Sequence, residues 1–168
     1  MKVNSTLISI TSLPEERWKE CRDLRLQALQ KDPIAFSSSY EEEKDLSEHE
    51  WRQRIKNALF AIINDTPVGM VVMIVESLSD NEDIASIYGL YVNSACRGKG
   101  IGNQLLTEAM ISLKKLETLK KIKLSVNCEQ KHAITLYEKL HFQVVGTLKK
   151  KILYQGNYYD ELMMELLK

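Results

Sequence analysis

Leu90-Tyr91-Val92 is an apolar run that breaks into Arg97-Gly98-Lys99-Gly100-Ile101-Gly102. This stretch constrains the fold more than any other. Leu105, Leu106, Ala109, Met110, Leu113 and Leu116 follow at helical spacing. The chain must therefore place a strand, a tight turn and a long helix in direct succession. Three glycines at the start of the helix let backbone N–H groups converge with no Cβ atoms in the way. The helix N-terminus carries partial positive charge, and Arg97 and Lys99 add two full charges. Such a turn suits a phosphate or a pyrophosphate.

The spacing excludes two common phosphate binders. A nucleoside-triphosphate loop needs G-x-x-x-x-G-K-[ST], and the hydroxyl that would hold magnesium is missing after Lys99. A dinucleotide fingerprint needs G-x-G-x-x-G with a carboxylate closing the next strand, and that strand ends at Val126-Asn127. Composition narrows the field further. Lys+Arg and Asp+Glu balance at 23 each, which disfavours nucleic acid as the main partner. No apolar run is long enough for a bilayer, and the start from Met1 to Ser5 lacks a signal-peptide core. Cys21, Cys96 and Cys128 fit neither a disulfide framework nor a zinc site, so reduced thiols in a cytoplasmic protein are expected. His49, His132 and His141 have no metal spacing, and no metal is expected.

At 168 residues and 44% hydrophobic content, one domain spanning 1–168 is expected. A strand at 6–10 precedes a helix that has Pro14 in its first turn and Trp18, Cys21, Leu24 and Ala28 on its inner face. The loop from Ile34 to Tyr40 carries two aromatics, Phe36 and Tyr40, that read as exposed, and Glu41-Glu42-Glu43 reads as a solvated run. Ser47 with Glu50 forms a capping box for a second helix. Strands follow at 59–63 and 68–75, joined by Asn64-Asp65-Thr66-Pro67, then a polar loop at 77–83 and a central strand at 84–92. Strict alternation puts Ser86, Tyr88, Leu90 and Val92 on one face of that strand, with Ala85, Ile87, Gly89 and Tyr91 on the other. After the glycine-rich helix come a strand at 122–126, a helix at 130–140, and closing strands at 142–147 and 161–166. The result is an α/β (α+β) domain with a mixed sheet and about four helices.

These motifs resemble the GNAT superfamily of acyl-CoA-dependent N-acetyltransferases. Arg97-Gly98-Lys99-Gly100-Ile101-Gly102 matches its R/Q-x-x-G-x-G/A signature, and Leu90-Tyr91-Val92 is similar to its cofactor-side strand. Ala133-Ile134-Thr135-Leu136-Tyr137-Glu138-Lys139-Leu140-His141-Phe142 resembles its A-x-x-L-Y-E-K-L-G-F segment, with His141 in the glycine position. The tail from Tyr158 to Met164 is similar to its D-E-x-x-M ending.

The resemblance implies a mostly antiparallel sheet with splayed central strands and acetyl-CoA as co-substrate. It assigns Leu90, Tyr91 and Val92 to the pantetheine arm, and Arg97, Gly98, Lys99, Gly100, Ile101 and Gly102 to the pyrophosphate. Gln130 replaces the usual asparagine, with Asn127 as a substitute contact. The Val92 N–H would polarise the thioester carbonyl, and Tyr137 would be the general acid for the departing thiolate and a cofactor contact. Periodicity alone reads Tyr137 as a packed core residue.

No strand glutamate stands where relatives carry a base, and Glu82 and Asp83 sit too far out. Water ordered by Ser86, Tyr88 or backbone carbonyls is expected instead. Phe36, Ser39 and Tyr40 form the expected acceptor wall. The acceptor is expected to be a small-molecule or peptide amine, and the protein a monomer or homodimer. The alternative is a non-catalytic acyl-CoA-binding module.

Overall fold

Apolar residues on both faces of one sheet divide the core into two clusters, and helices cover each. A computed structural model describes residues 7–80 and 82–168. Its strands are β1 (Ser9–Thr11), β2 (Ala58–Ile63), β3 (Thr66–Ser79), β4 (Glu82–Val92), β5 (Leu119–Asn127), β6 (Gln143–Tyr154) and β7 (Asn157–Leu167). They form one sheet in the order β1-β2-β3-β4-β5-β7-β6. Every pairing is antiparallel except β4 with β5. The helices are α1 (Trp18–Lys31), the single turn α2 (Tyr40–Glu43), α3 (Glu48–Ile55), α4 (Ile101–Lys114) and α5 (Lys131–Lys139). No described helix is long and apolar enough to cross a membrane.

The expected mixed sheet is present. The expected order of elements holds too, with α2 added between the first two long helices. Several strands run longer than expected: β3 reaches Ser79 and β4 begins at Glu82, so the polar loop there is short. Part of that loop (Asn81), the residue Thr6 of the expected first strand, and the start at 1–5 lie outside the described residues. His141 adopts φ 70°, so the turn after α5 keeps a left-handed residue without glycine. Histidine tolerates that region better than branched residues do.

One cluster joins α4 and α5 to the sheet through Ile101, Leu105, Leu106, Ala109, Tyr137 and Phe142. The other joins α1 and α3 through Cys21, Leu24, Ala28, Ile55, Phe60 and Tyr91. Strand β4 serves both clusters, but which residues face which is set by a break in its alternation. Its register against β3 shifts between Tyr91 and Tyr88, with Gly89 at φ 59°. The extra residue makes a bulge. Ala85 and Ile87 therefore face α4 before it, and Leu90 and Val92 face that side after it, while Tyr91 turns to α1. This corrects the strict alternation expected from the sequence.

The acidic run at 41–43 is corrected as well. Ser39 caps α2 with a complete capping box to Glu42, which fixes the turn's orientation and sends Glu43 inward. Glu43 is 4% exposed. Arg25 grips it with two bonds of 3.0 and 2.8 Å, and Arg54 adds a third at 2.8 Å. Burial pushes the Glu43 carboxyl up, but the hydrogen bonds and charges of Arg25 and Arg54 outweigh it and hold the group below its ordinary value.

Glu43→Gln removes the anion from two guanidinium groups, one half-buried and one exposed, at an expected cost of about 2 kcal/mol. A lower urea midpoint reads that loss. Because the folded pKa is depressed, the stabilisation is present above the ordinary value of 4.5 and is lost as pH falls through the folded one. The variant's stability should fall less steeply over that acidic window.

Candidate active site

The parallel pair β4–β5 is short. It runs from Asp83 opposite Leu119 to Ser86 opposite Lys123, although the strands continue to Val92 and Asn127. Past Ser86 they part, and a cleft of about 400 Å³ opens between them, bounded by Ile87 to Leu90, Ser125 and Val126. Backbone geometry equips its β4 wall. The Asn93 N–H donates to the Val68 carbonyl of β3's side at 2.8 Å. N–H groups alternate sides along a strand, so Val92 and, two residues back, Leu90 turn theirs away from β3 toward the gap.

At the end of β4 the chain turns through Gly98 and Gly100, both at φ 76°. Gly100 is the N-cap of α4, and no side chain caps that helix, so its first N–H groups remain free for a ligand. Gly102 lies between the Val92 and Leu136 side chains, at 3.9 and 3.8 Å from where a Cβ would be. The turn therefore sits at the mouth between β4 and α5. Lys99 is exposed there. Arg97 is committed to the scaffold: its Nε donates to the Val92 carbonyl at 2.8 Å, its guanidinium pairs with Asp32 and lies 5.6 Å from the Tyr91 ring centre.

Of the expected site residues, Leu90, Gln130, Tyr137, Tyr88 and Phe36 line the cleft. Tyr137 is 7% exposed, packs edge-on against Phe142, and burial pushes its hydroxyl up to about 12. Phe36 is buried under the Arg25 guanidinium, 4.8 Å from the ring centre, which corrects its expected exposure. Four expected residues are placed elsewhere. Tyr40 lines a neighbouring pocket against Ile152 to Tyr154, and Ser39 is used as a helix cap. Ser86 is 1% exposed and its hydroxyl has no hydrogen-bond partner among the described residues. Asn127 is fully buried, donating to the Ile34 carbonyl at 2.7 Å and accepting from the Glu129 N–H at 2.9 Å, so it ties loops together.

Sequence reasoning missed Arg25, Lys151 and Glu161, which also line the cleft. Arg25 had a helical position but no partner in view, and Glu161 was seen only as part of the tail motif. A second, more apolar hollow of about 290 Å³ adjoins at Tyr88 and Gly89, walled by Trp51, Met70, Val72 and Ile74.

The sequence model of the acetyltransferase (GNAT) family matches residues 18–142. An L-amino acid N-acetyltransferase, AaaT, of Escherichia coli (strain K12) is 28% identical over 127 residues, covering 73% of this chain and 78% of that protein. The structure of a GNAT-family acetyltransferase from Streptococcus pneumoniae superimposes with a TM-score of 0.83 at 20% identity, covering 96% of this chain and all (100%) of that one. YncA of Salmonella typhimurium, solved with its cofactor acetyl-CoA, gives 0.79 at 15% identity over 96% of this chain and 94% of its own.

The glycine-rich turn offers a direct test. Nothing lies within 4 Å of a Cβ built on Gly100, so Gly100→Ala acts through its left-handed backbone alone, at a cost of roughly 1 kcal/mol. A loop that relaxes must be re-formed on binding, so the Kd for coenzyme A in calorimetry should rise about fivefold. An unchanged Kd would remove the turn from the ligand site.

Proposed function

We propose that this chain, which belongs to the acetyltransferase (GNAT) family, passes the acetyl group of acetyl-CoA directly to a primary amine held in the β4–β5 cleft. Family membership makes it an acetyl-CoA-dependent N-acetyltransferase. The direct route, the residues that carry it and the kind of amine are our reading. Acetyl-CoA supplies an acetyl group activated as a thioester.

The site fits that co-substrate on its own geometry. Gly98 to Gly102 and the uncapped start of α4 would hold the pyrophosphate, with Lys99 beside them. The outward backbone groups of Leu90 and Val92 would take the pantetheine amides, and the Val92 N–H would donate to the thioester oxygen as charge develops on it. Tyr137 has a proton to give the departing sulfur, since a phenol is protonated at neutral pH even at its ordinary value of about 10, and burial holds that proton more tightly. Arg97, braced by Asp32, fixes the Val92 carbonyl and thus the strand end.

The observation that carries the reading is one gap with free backbone donors on β4, Tyr137 on its wall and the glycine turn at its mouth. The name of the Escherichia coli relative supports an amino acid as acceptor. An α-amine has a reference pKa of about 8 against about 10.4 for lysine, so it needs less help to lose its proton. Cys21, Cys96 and Cys128 are free, which supports a reducing, cytoplasmic setting.

Thiol release measured over amino acids, peptide N-termini, polyamines and aminoglycosides tests the transfer. Coenzyme A binding without release for any amine would leave an acyl-CoA-binding module. In a chain that turns over, Tyr137→Phe should lower kcat by about a hundredfold, with a far smaller effect on coenzyme A affinity. Unchanged turnover would remove Tyr137 as the acid.

A further inference from the structure

The cleft contains a carboxylate with no structural partner. Glu161, on β7, is 8% exposed and lines the cleft together with Tyr88 and Tyr137. Among the described residues it has neither a hydrogen bond nor an ion pair, in contrast to Glu43 with its two arginines. The side that Glu161 faces follows from the alternation of β7, whose Leu162, Met164 and Leu166 pack against the α4 and α5 cluster, and an irregularity of the edge strand lies beside it. Between Leu148 and Ile152, β6 has two more residues than the facing stretch of β7, and Lys150 sits at φ 52° within them. Asp160 stabilises this irregularity, accepting from the Lys150 N–H at 2.9 Å and from Lys149 Nζ at 3.0 Å. The next side chain along a strand points to the opposite side, and Glu161 reaches the cleft.

Two other carboxylates, Glu43 and Asp83, are engaged. Glu43 is held charged by Arg25 and Arg54, which makes it a weak base. Asp83, at the far end of β4, is bonded to Ser77 and Thr118. The charged and titratable groups sharing the cleft with Glu161 are Tyr88 from β4, Tyr137 from α5, Arg25 from α1 and Lys151 from β6. The β5 side contributes Ser125 and Val126, neither of which titrates. Arg25 is already occupied by Glu43. Burial raises the Glu161 carboxyl above its ordinary value, only partly opposed by the Lys151 charge.

We propose that Glu161 is the general base of the transfer, taking a proton from the acceptor's ammonium group in the cleft. This rests on the acetyl-transfer reading above. The ammonium gives one proton to the Glu161 carboxylate, and the neutral nitrogen forms its bond to the acetyl carbon as the carbon–sulfur bond breaks. Tyr137 protonates the leaving sulfur and is restored by the second proton of the nitrogen. Glu161 then returns its proton to water, so amine and thioester give amide, thiol and one released proton.

The test uses the full chain with Glu161→Gln and Glu161→Asp. Calorimetry should give both variants wild-type affinity for coenzyme A. With an amine that the wild type accepts, Glu161→Gln should lose about a hundredfold in kcat/KM at neutral pH. The acidic limb of the wild-type pH profile, where Glu161 becomes protonated, should disappear in Glu161→Gln and return in Glu161→Asp. In 13C NMR of glutamate-labelled wild type, the carboxyl resonance missing from Glu161→Gln should titrate above 4.5, the ordinary glutamate value.

A Glu161→Gln variant with wild-type kcat/KM and an unchanged acidic limb overturns the assignment while acetyl transfer stands. A resonance titrating at or below 4.5 overturns it without any assay of turnover. A wild type that binds coenzyme A yet releases no thiol with any amine overturns the transfer reading, and the proposal with it.

Discussion

The parting of β4 from β5 after Ser86 is the constraint on which the rest of this structure depends. A parallel pair that stayed zipped to Val92 would satisfy its own backbone groups and leave no cleft. Opening the pair leaves N–H and C=O groups of β4 facing the gap. These groups need a ligand or water, which is why an unzipped sheet interior reads as a binding site. The bulge at Gly89 lies in the opened stretch, and by shifting phase it lets Tyr91 anchor β4 under α1 while Leu90 and Val92 face α4 and α5. The strand is held firmly through its side chains while part of its backbone stays free.

The surroundings of the cleft are pinned by polar contacts. Asn127 ties the end of β5 to the Ile34 segment, and Arg97 ties the end of β4 to the C-terminal end of α1. Glu43 locks the turn α2 to α1 and α3 through Arg25 and Arg54. A buried carboxylate held by two arginines contributes little net stability compared with an apolar core, but losing one member is costly. Its effect is to fix geometry: Arg25, held by Glu43, stacks on Phe36 and forms part of the cleft wall.

Local signals were legible in the sequence where they stand on a short segment. The strand, glycine turn and helix from Leu90 onward, the α3 capping box at Ser47 and the helix carrying Tyr137 all follow from spacing within a dozen residues. Ser39 and Glu42 repeat the Ser47 and Glu50 pattern, so α2 was legible by the same rule and was missed only because the acidic run looked solvated. Glu43 was not legible, since its burial depends on Arg25 and Arg54, 18 and 11 residues away along the chain. Alternation misassigned Tyr91 because it assumes an unbroken ladder, and one bulge reverses every later side chain. Tyr40 and Ser86 were assigned to the acceptor side from their segments alone, whereas their placement follows from how that loop and the sheet pack. Glu161 alternates with Leu162, Met164 and Leu166, but that its face meets a cleft containing Tyr88 and Tyr137 depends on how the strands and helices assemble.

Amide hydrogen exchange along β4 tests the central claim most directly, because it reads the free backbone groups themselves. The Tyr91 amide should be protected without ligand, since it faces β3, whereas the Leu90 and Val92 amides should exchange faster. Adding coenzyme A should slow exchange at Leu90 and Val92 and at the first N–H groups of α4, leaving Tyr91 as it was. Leu90 and Val92 amides that are already protected in the free protein, or that exchange no more slowly with saturating coenzyme A, would contradict the account.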